Sequence, residues 1–164
     1  IAVYTRGVKR VVYVETTIIS YLAAWPSRDA LVASHQALTR DWWATRRHRF
    51  AVVVSRAVIE EASVGDPDAV GRRLALLAEL PVVETTERAV SLATDLQRRA
   101  RMPERAAVDA LHVALAAVHS SHFLLTWNCR HIASAVYRPR IESVCRAAGV
   151  EPPVICTPLE LMDA

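Results

Sequence analysis

Three acidic positions in this sequence are surrounded by apolar residues. Glu15 follows the run Val11–Val14, Glu60 and Glu61 interrupt "AVIEEASVG", and Asp109 interrupts "AAVDALHVALAA". A carboxylate at an apolar position is costly to desolvate unless something pairs with it. Oxygen ligands of this kind suit hard divalent cations such as Mg²⁺, which polarise a phosphoryl oxygen and lower the pKa of a bound water. Together the three acids favour hydrolysis of a phosphodiester.

Each of these acids also has an interpretation that needs no metal. Glu15 can simply begin a solvated loop, and Asp109 can pair with His112, which lies three residues later on the same helical face. His112 in turn can orient the Asp109 carboxylate, contact a substrate, or be a buried histidine with its own hydrogen bonds. The spacing of the acids alone does not decide between these interpretations.

The strand pattern determines where these residues meet. Short β-branched runs predict strands at 10–14, 50–54, 81–84, 123–127 and 154–156. Helical patterns separate the strands, which implies a parallel sheet joined by right-handed crossovers. Ligands bind such sheets beyond the carboxyl ends of the strands, where the strand order reverses. Glu15 ends the first strand and Asn128 follows the fourth, so both are expected at one rim.

Capping residues and helix breakers set the expected helix ends. We expect a helix from Thr17 to Ala24, one capped by Asp29, one capped by Ser55 and ended by Gly65, one opened by Pro67, one started by Thr85 or Thr86, one started by Pro103, and one in the segment 138–149. No internal repeat or low-complexity linker interrupts the alternation. The pattern as a whole predicts an α/β fold.

The composition is that of one soluble domain. With 164 residues and 52% hydrophobic content, the chain is long enough for one compact core. No apolar run approaches the ~20 residues that cross a bilayer, so we expect no membrane span. Residues 1–9 lack periodicity and are expected to be a disordered or vector-derived extension, which leaves the domain at 10–164. Three widely spaced cysteines fit reduced thiols in the cytoplasm.

The cations are almost all arginines, whose planar guanidinium groups can bind phosphate oxygens in pairs. The net charge of +3 permits a polyanionic partner without requiring one. Arg28 follows the first helix and Arg130 follows the fourth strand, so both are candidates to bind phosphate near the proposed rim.

Four segments carry the acids and their neighbours: "VYVETTIISYL", "VIEEASVGDP", "AAVDALHVALA" and "FLLTWNCRHIASA". Together, and in this order, they resemble the PIN domain, specifically the VapC-like toxins of type II toxin–antitoxin systems. The resemblance extends from about Arg10 to Met162. It implies a three-layer α/β/α fold with a central parallel sheet, Mg²⁺- or Mn²⁺-dependent endoribonuclease activity on RNA, and a cognate antitoxin.

The resemblance also implies roles for individual residues. Glu15 matches the first acid of the family's Asp-x-Ser/Thr motif, and Thr17 matches the hydroxyl that orients it. The second acid, four residues before a glycine, matches Glu61. The third, an aspartate on an alanine-rich helix, matches Asp109. Glu15, Glu61 and Asp109 are therefore the expected metal ligands.

Two positions depart from the family pattern. Glutamate stands at position 15 where aspartate is usual, so this carboxylate reaches one methylene further. The fourth acidic position, T-x-[DN]-x-x-[DH], contains no carboxylate here: Asn128 is expected to bind a metal-bound water, and His131 to contact phosphate. With three acids rather than four, we expect one well-occupied ion, held weakly until a substrate phosphate completes its ligands.

Two sets of apolar residues predict either contacts with another chain or plain core. Leu31, Leu38, Leu74 and Leu77 lie on amphipathic helices that suit a homodimer seam or an antitoxin groove. Trp42 and Trp43 are adjacent, and neighbouring helix positions point ~100° apart, so at most one is expected to pack fully inward.

Two other classes of function compete with the nuclease. The first is an RNA-binding module that keeps the fold but has lost cleavage through the changes at positions 15 and 128. The second is a phosphotransferase that uses an acid after the first strand as nucleophile. That reaction needs an aspartate at position 15 and a catalytic lysine, whereas the chain has Glu15 and a single lysine, Lys9.

Overall fold

The computed structural model describes residues 8–163. The predicted extension at 1–9 falls mostly outside them, since residues 1–7 are not described; Val8 and Lys9 are exposed and belong to no helix or strand. The boundary at residue 10 therefore stays a prediction. No helix of the described chain is both long and apolar enough to cross a membrane.

Five short strands form one parallel sheet in the order β3-β2-β1-β4-β5. Their bounds are β1 (Val11–Val14), β2 (Ala51–Ser55), β3 (Val82–Val83), β4 (Phe123–Leu125) and β5 (Val154–Cys156). The central strand β1 buries all but its first residue, which explains why its sequence is apolar on both faces. The five predicted strands are confirmed. β4 ends at Leu125, two residues early, because the chain at 126–128 turns to bond with side chains at the rim.

Seven α-helices connect the strands in the described part of the chain. They are α1 (Thr16–Ala23), α2 (Ala30–Thr45), α3 (Arg56–Ala62), α4 (Pro67–Leu77), α5 (Glu87–Arg99), α6 (Ala107–Val118) and α7 (Arg138–Ala147). Right-handed crossovers place α1 to α4 on one face of this sheet and α5 to α7 on the other. In agreement, α1 packs on α2, α3 and α4, while α5 packs on α6 and α7. The predicted three-layer α/β/α fold is confirmed.

Side chains cap several of these helices as the sequence predicts. Asp29 accepts from the backbone N–H of Val32 at 2.9 Å, and Thr86 accepts from Ala89 at 3.2 Å. The start of α6 differs from the prediction, because residues 104–106 form a short 3₁₀ turn and the α-helix begins only at Ala107. α3 ends at Ala62, before the predicted stop at Gly65, which has a φ of 111°.

The sheet order reverses between β1 and β4, the two neighbouring strands from which the chain continues in opposite directions. Val14 pairs with Leu125 across these strands, so the next residues, Glu15 and Thr126, lie side by side at the carboxyl edge. A parallel sheet offers its ligand crevice at this place. The fold therefore delivers the first predicted acid to the expected position.

Candidate metal centre

Glu15 is a buried carboxylate at the end of β1, with only 3% of its surface exposed. Its Oε2 accepts hydrogen bonds from two hydroxyls, Thr17 Oγ1 at 2.6 Å and Thr126 Oγ1 at 2.7 Å. Among residues 8–163, no arginine or lysine forms an ion pair with it. Two neutral donors satisfy one oxygen, but they do not neutralise the charge.

Backbone amides fix the direction of both hydroxyls. Thr17 Oγ1 accepts from the N–H of Trp127 at 2.9 Å, and Thr126 Oγ1 accepts from the N–H of Asn128 at 2.9 Å. Since each hydroxyl already accepts a bond, its own hydrogen is free to point at Glu15. Within the described chain, no side chain donates to the other oxygen of Glu15, Oε1. Side-chain donors thus hold the carboxylate through one oxygen and leave the other for a different partner.

Glu61 is held in the same way from the opposite side of the crevice. It lies on α3, which begins directly after β2, and 38% of its side chain is exposed. Its Oε2 accepts from Thr16 Oγ1 at 2.5 Å and lies 2.7 Å from His112 Nε2. The adjacent Glu60 points away to solvent, where it pairs with Arg56 at 3.5 Å. Only one of the two neighbouring glutamates therefore faces the crevice.

Glu15 and Glu61, hereafter the acid pair, bring ligand atoms close together. One oxygen from each carboxylate and a ring nitrogen of His112 lie within 4.8 Å of one another. Two carboxylates at this separation repel unless a proton or a cation lies between them. Because no side chain among residues 8–163 donates to the second oxygen of either carboxylate, the residues present fit a hard divalent cation with oxygen ligands.

Asp109 lies outside this cluster and has its own partners. Its Oδ1 accepts from Asn128 Nδ2 at 2.8 Å, and its Oδ2 lies 2.8 Å from His131 Nδ1. The backbone N–H of His131 also bonds to Asn128 Oδ1 at 3.1 Å, so the three side chains form one unit. Asn128 connects this unit to the acid pair, because its backbone N–H donates to Thr126 Oγ1, which in turn donates to Glu15. The structure therefore links the third predicted ligand to Glu15 through Asn128 and Thr126, but does not include it in the cluster of closest ligand atoms.

Of the interpretations of His112 that the sequence left open, the structure shows the buried histidine with its own hydrogen bonds. The expected pairing with Asp109, three residues earlier, does not form; the ring bonds instead to the Tyr13 hydroxyl at 2.8 Å and to Glu61. Its exposure is 0%, so the predicted substrate contact is not available to it in this arrangement. Buried partners on other elements outcompete the neighbour on the same helix.

The two predicted phosphate-binding arginines are exposed and, in the described part of the chain, form no ion pair with the acids. Arg28 lies in the bend between α1 and α2, and Arg130 lies in the turn after β4. Neither forms a hydrogen bond or ion pair within the described residues.

Of the two adjacent tryptophans on α2, Trp42 is fully buried and Trp43 only partly, which confirms that at most one of them packs fully inward.

The environments of the acid pair shift the two pKa values in opposite directions. Burial raises the pKa of Glu15, and the nearby His112 and the hydroxyls of Thr17 and Thr126 only partly oppose that rise. Burial also acts to raise the pKa of Glu61, but the hydrogen bonds from His112 and Thr16 outweigh it and hold this pKa below its usual range. Glu61 is therefore the ionised partner, and Glu15 is the one that gains from a cation.

We expect the stability of the metal-free protein to report the raised pKa of Glu15. The folded state keeps a proton on Glu15 to a higher pH than the unfolded chain, whose carboxyl has a pKa near 4.5. The contribution of Glu15 to the free energy of unfolding should therefore fall as the pH rises from about 4.5 through its folded pKa.

Urea denaturation of the wild type and of Glu15→Gln across this pH range isolates the effect, since all other groups are common to both proteins. The stability difference between them should grow with pH and then level off, and saturating Mg²⁺ should remove most of it. A difference that does not change with pH would show that Glu15 titrates normally.

Sequence reasoning missed several residues that hold the acid pair. Thr16 and Thr126 donate to the carboxylates, although only Thr17 was expected to do so. Tyr13 and Ser55 lie behind His112 and are bonded to each other at 2.6 Å. A polar tyrosine in an otherwise apolar strand was the available signal, because a buried hydroxyl requires a partner.

Comparison with known proteins places this arrangement in context. The family model of the PIN domain matches residues 12–133. One similar structure is VapBC2 from Rickettsia felis bound to a DNA fragment from its promoter, with a TM-score of 0.58 and 11% identity over 90% of this chain and 98% of the other. Another is VapC20 from Mycobacterium tuberculosis, a toxin that cleaves the Sarcin-Ricin loop, with a TM-score of 0.52 and 20% identity over 69% of this chain and 86% of the other. At these identities the likeness establishes the fold. No curated protein sequence matches the chain.

Proposed function

The chain belongs to the PIN-domain family, and from that membership we propose that it is a Mg²⁺- or Mn²⁺-dependent endoribonuclease that hydrolyses RNA phosphodiesters. We further propose that it acts as the toxin of a type II toxin–antitoxin pair.

One observation carries the nuclease proposal. Glu15 lies at the reversal point of a parallel sheet and Glu61 faces it from α3. One oxygen of each carboxylate accepts from two side chains, and no side chain of the described residues donates to the other oxygen. A structural carboxylate at 3% exposure would be expected to bond both oxygens or to pair with an arginine. Ligand atoms that are oriented but unsatisfied are what a cation site requires before the ion arrives.

The acids divide the work in this proposal. Glu15 and Glu61 hold the ion, and Asp109 supplies the third carboxylate, kept in place by Asn128 and His131. A bound divalent cation polarises a phosphoryl oxygen and lowers the pKa of a water molecule.

Hydrogen bonds and positive charges complete the proposed site. Thr17 orients the Glu15 carboxylate through the 2.6 Å bond described above. Arg28 and Arg130, which are exposed and form no hydrogen bond or ion pair with other described residues, bind the RNA backbone. His131 contacts the phosphate beside the cleaved bond, since its Nδ1 bonds to Asp109 and its Nε2 has no hydrogen-bond partner among the described residues.

Metal-dependent cleavage tests the proposal directly. The full chain should cut one or more members of a panel of structured RNAs, which should include the Sarcin-Ricin loop because VapC20 cleaves it. Cleavage should require Mg²⁺ or Mn²⁺ and stop on chelation. Asp109→Asn should lower the rate at least about 10-fold, because it removes a charge at the site.

The matched control is Asp68→Asn, an exposed aspartate at the start of α4 that should cleave like the wild type. RNA binding by the wild type without any metal-dependent cleavage would contradict the nuclease and support the RNA-binding module instead.

The partner and the cellular setting stay predictions. We propose a cognate antitoxin by analogy with VapBC2, together with a homodimer and a cytoplasmic location. A small DNA-binding protein encoded by the neighbouring reading frame would support the toxin assignment. Its absence would favour a solitary nuclease.

A further inference from the structure

A chain of polar side chains runs through the interior and ends on Glu61. Ser55 Oγ lies 2.6 Å from the Tyr13 hydroxyl, which lies 2.8 Å from His112 Nδ1, and His112 Nε2 lies 2.7 Å from Glu61 Oε2. The first three residues are each 0% exposed. Polar groups buried this deeply are costly unless every one is bonded. In this row of side chains each polar group has a hydrogen-bond partner, which raises the question of what the row does for Glu61.

The hydrogen bonds in this chain can all point the same way. The Glu61 Oε2 also accepts from Thr16 Oγ1, and a carboxylate that binds a cation is ionised and can only accept. His112 Nε2 must then carry a hydrogen, and in the neutral ring Nδ1 accepts. The Tyr13 hydroxyl consequently donates to Nδ1 and accepts from Ser55, whose oxygen accepts in turn from the backbone N–H of Val58 at 3.5 Å.

Tyr13 is suited to this donor role. A tyrosine hydroxyl carries its hydrogen at neutral pH. This one is fully buried away from water and lies 2.8 Å from His112 Nδ1, within reach to donate that hydrogen. A backbone amide at one end and a carboxylate at the other fix the polarity of all the groups between them.

We propose that His112 is a positioning residue, which donates its Nε2–H to Glu61 Oε2 and thereby presents Glu61 Oε1 to the cation, and that it is not itself a metal ligand. The inference rests on the proposed function, because it assumes that Glu61 binds a cation. It resolves an ambiguity in the cluster, where the ring nitrogen lies as close to the carboxylate oxygens as a ligand would. Imidazole is also a poor ligand for Mg²⁺, which prefers oxygen.

The tautomer of His112 tests the direction of the hydrogen bonds between Ser55 and Glu61, and its measurement does not depend on activity. In full-length protein labelled with ¹⁵N-histidine, NMR should show a hydrogen on Nε2 and none on Nδ1 in the metal-free state. Addition of Mg²⁺ should leave this pattern unchanged. A hydrogen on Nδ1, or loss of the Nε2 hydrogen when Mg²⁺ is added, would overturn the proposal.

Substitutions test the consequence for metal binding. His112→Leu removes the donor at similar volume and should weaken Mn²⁺ binding about 10- to 100-fold, the usual cost of losing a partner behind a metal ligand. His112→Gln keeps an N–H donor on a side chain of similar length and should restore most of the affinity. Tyr13→Phe should fall between the wild type and His112→Leu.

The matched control is His119→Gln, since His119 lies at the end of the same helix and its ring, within residues 8–163, hydrogen-bonds to the backbone carbonyl of Glu84 and to no other group. It should bind Mn²⁺ like the wild type. If the wild type itself binds no Mn²⁺, the proposed function fails. If the wild type binds and a folded His112→Leu binds equally well, this inference alone fails. Should His112→Leu not fold, Tyr13→Phe and the tautomer measurement still decide.

Discussion

Glu15→Gln is expected to lower metal-dependent RNA cleavage by on the order of 10²- to 10³-fold. The substitution removes one of the two charges of the acid pair, and a cation at such a site supplies several kcal/mol, with each 1.36 kcal/mol worth a factor of ten in rate. Glutamine keeps a carbonyl oxygen to accept the bonds from Thr17 and Thr126, so the local shape is preserved. Cleavage rates under saturating Mg²⁺ measure the effect.

The same substitution should make the metal-free protein more stable. It replaces a buried carboxylate that has no basic partner by a neutral amide, which removes a desolvation cost. Thermal or urea unfolding at neutral pH in a chelator should show the gain. Opposite changes in activity and stability distinguish a site that is strained for function from one that is simply damaged.

The acid pair should also behave as one unit. If Glu15 and Glu61 share an ion, Glu61→Gln should cost about as much cleavage as Glu15→Gln, and the double variant little more than either. The control is Glu60→Gln, which removes the same charge one position away on the exposed side of α3. Additive losses, or an equal loss in the control, would indicate that general charge rather than a shared ion drives cleavage.

The sequence allowed the position of Glu15 to be predicted because local patterning determines it. β1 is short, β-branched and buried on both faces, so the first charged residue after it has to emerge at the carboxyl edge of the sheet. The same reasoning placed Asn128 at that rim. These inferences need only the strand period, which is visible in the sequence, and the general right-handedness of crossovers between parallel strands.

The partners of the acids were less accessible to sequence reasoning. Helical spacing favoured a contact between Asp109 and His112, but their real partners lie on other elements. Thr126 and Glu15 are 111 residues apart in sequence, and only the register of β1 against β4 brings them together. Contacts of this kind depend on the full set of packed elements, which local periodicity does not specify.

The buried hydrogen-bonded side chains behind Glu61 could likewise be predicted only in part from the sequence. A tyrosine in the middle of β1 signals that some hydroxyl partner exists, but neither Ser55 nor His112 can be identified from the strand alone. The end of β4 is a further example, because the last two residues of the predicted strand leave it: Thr126 donates to Glu15, and the N–H of Trp127 donates to Thr17. The departures from prediction thus concentrate at the proposed site, where polar contacts override strand propensity.

A titration of Mn²⁺ into the metal-free full chain, followed by calorimetry, tests most directly whether the acid pair shares a cation. We expect about one ion per chain, with the affinity reduced at least about 100-fold in Glu15→Gln and in Glu61→Gln, because loss of a direct ligand should cost no less than loss of a residue behind one. Glu60→Gln should match the wild type. Unchanged Mn²⁺ binding in Glu15→Gln would contradict the account.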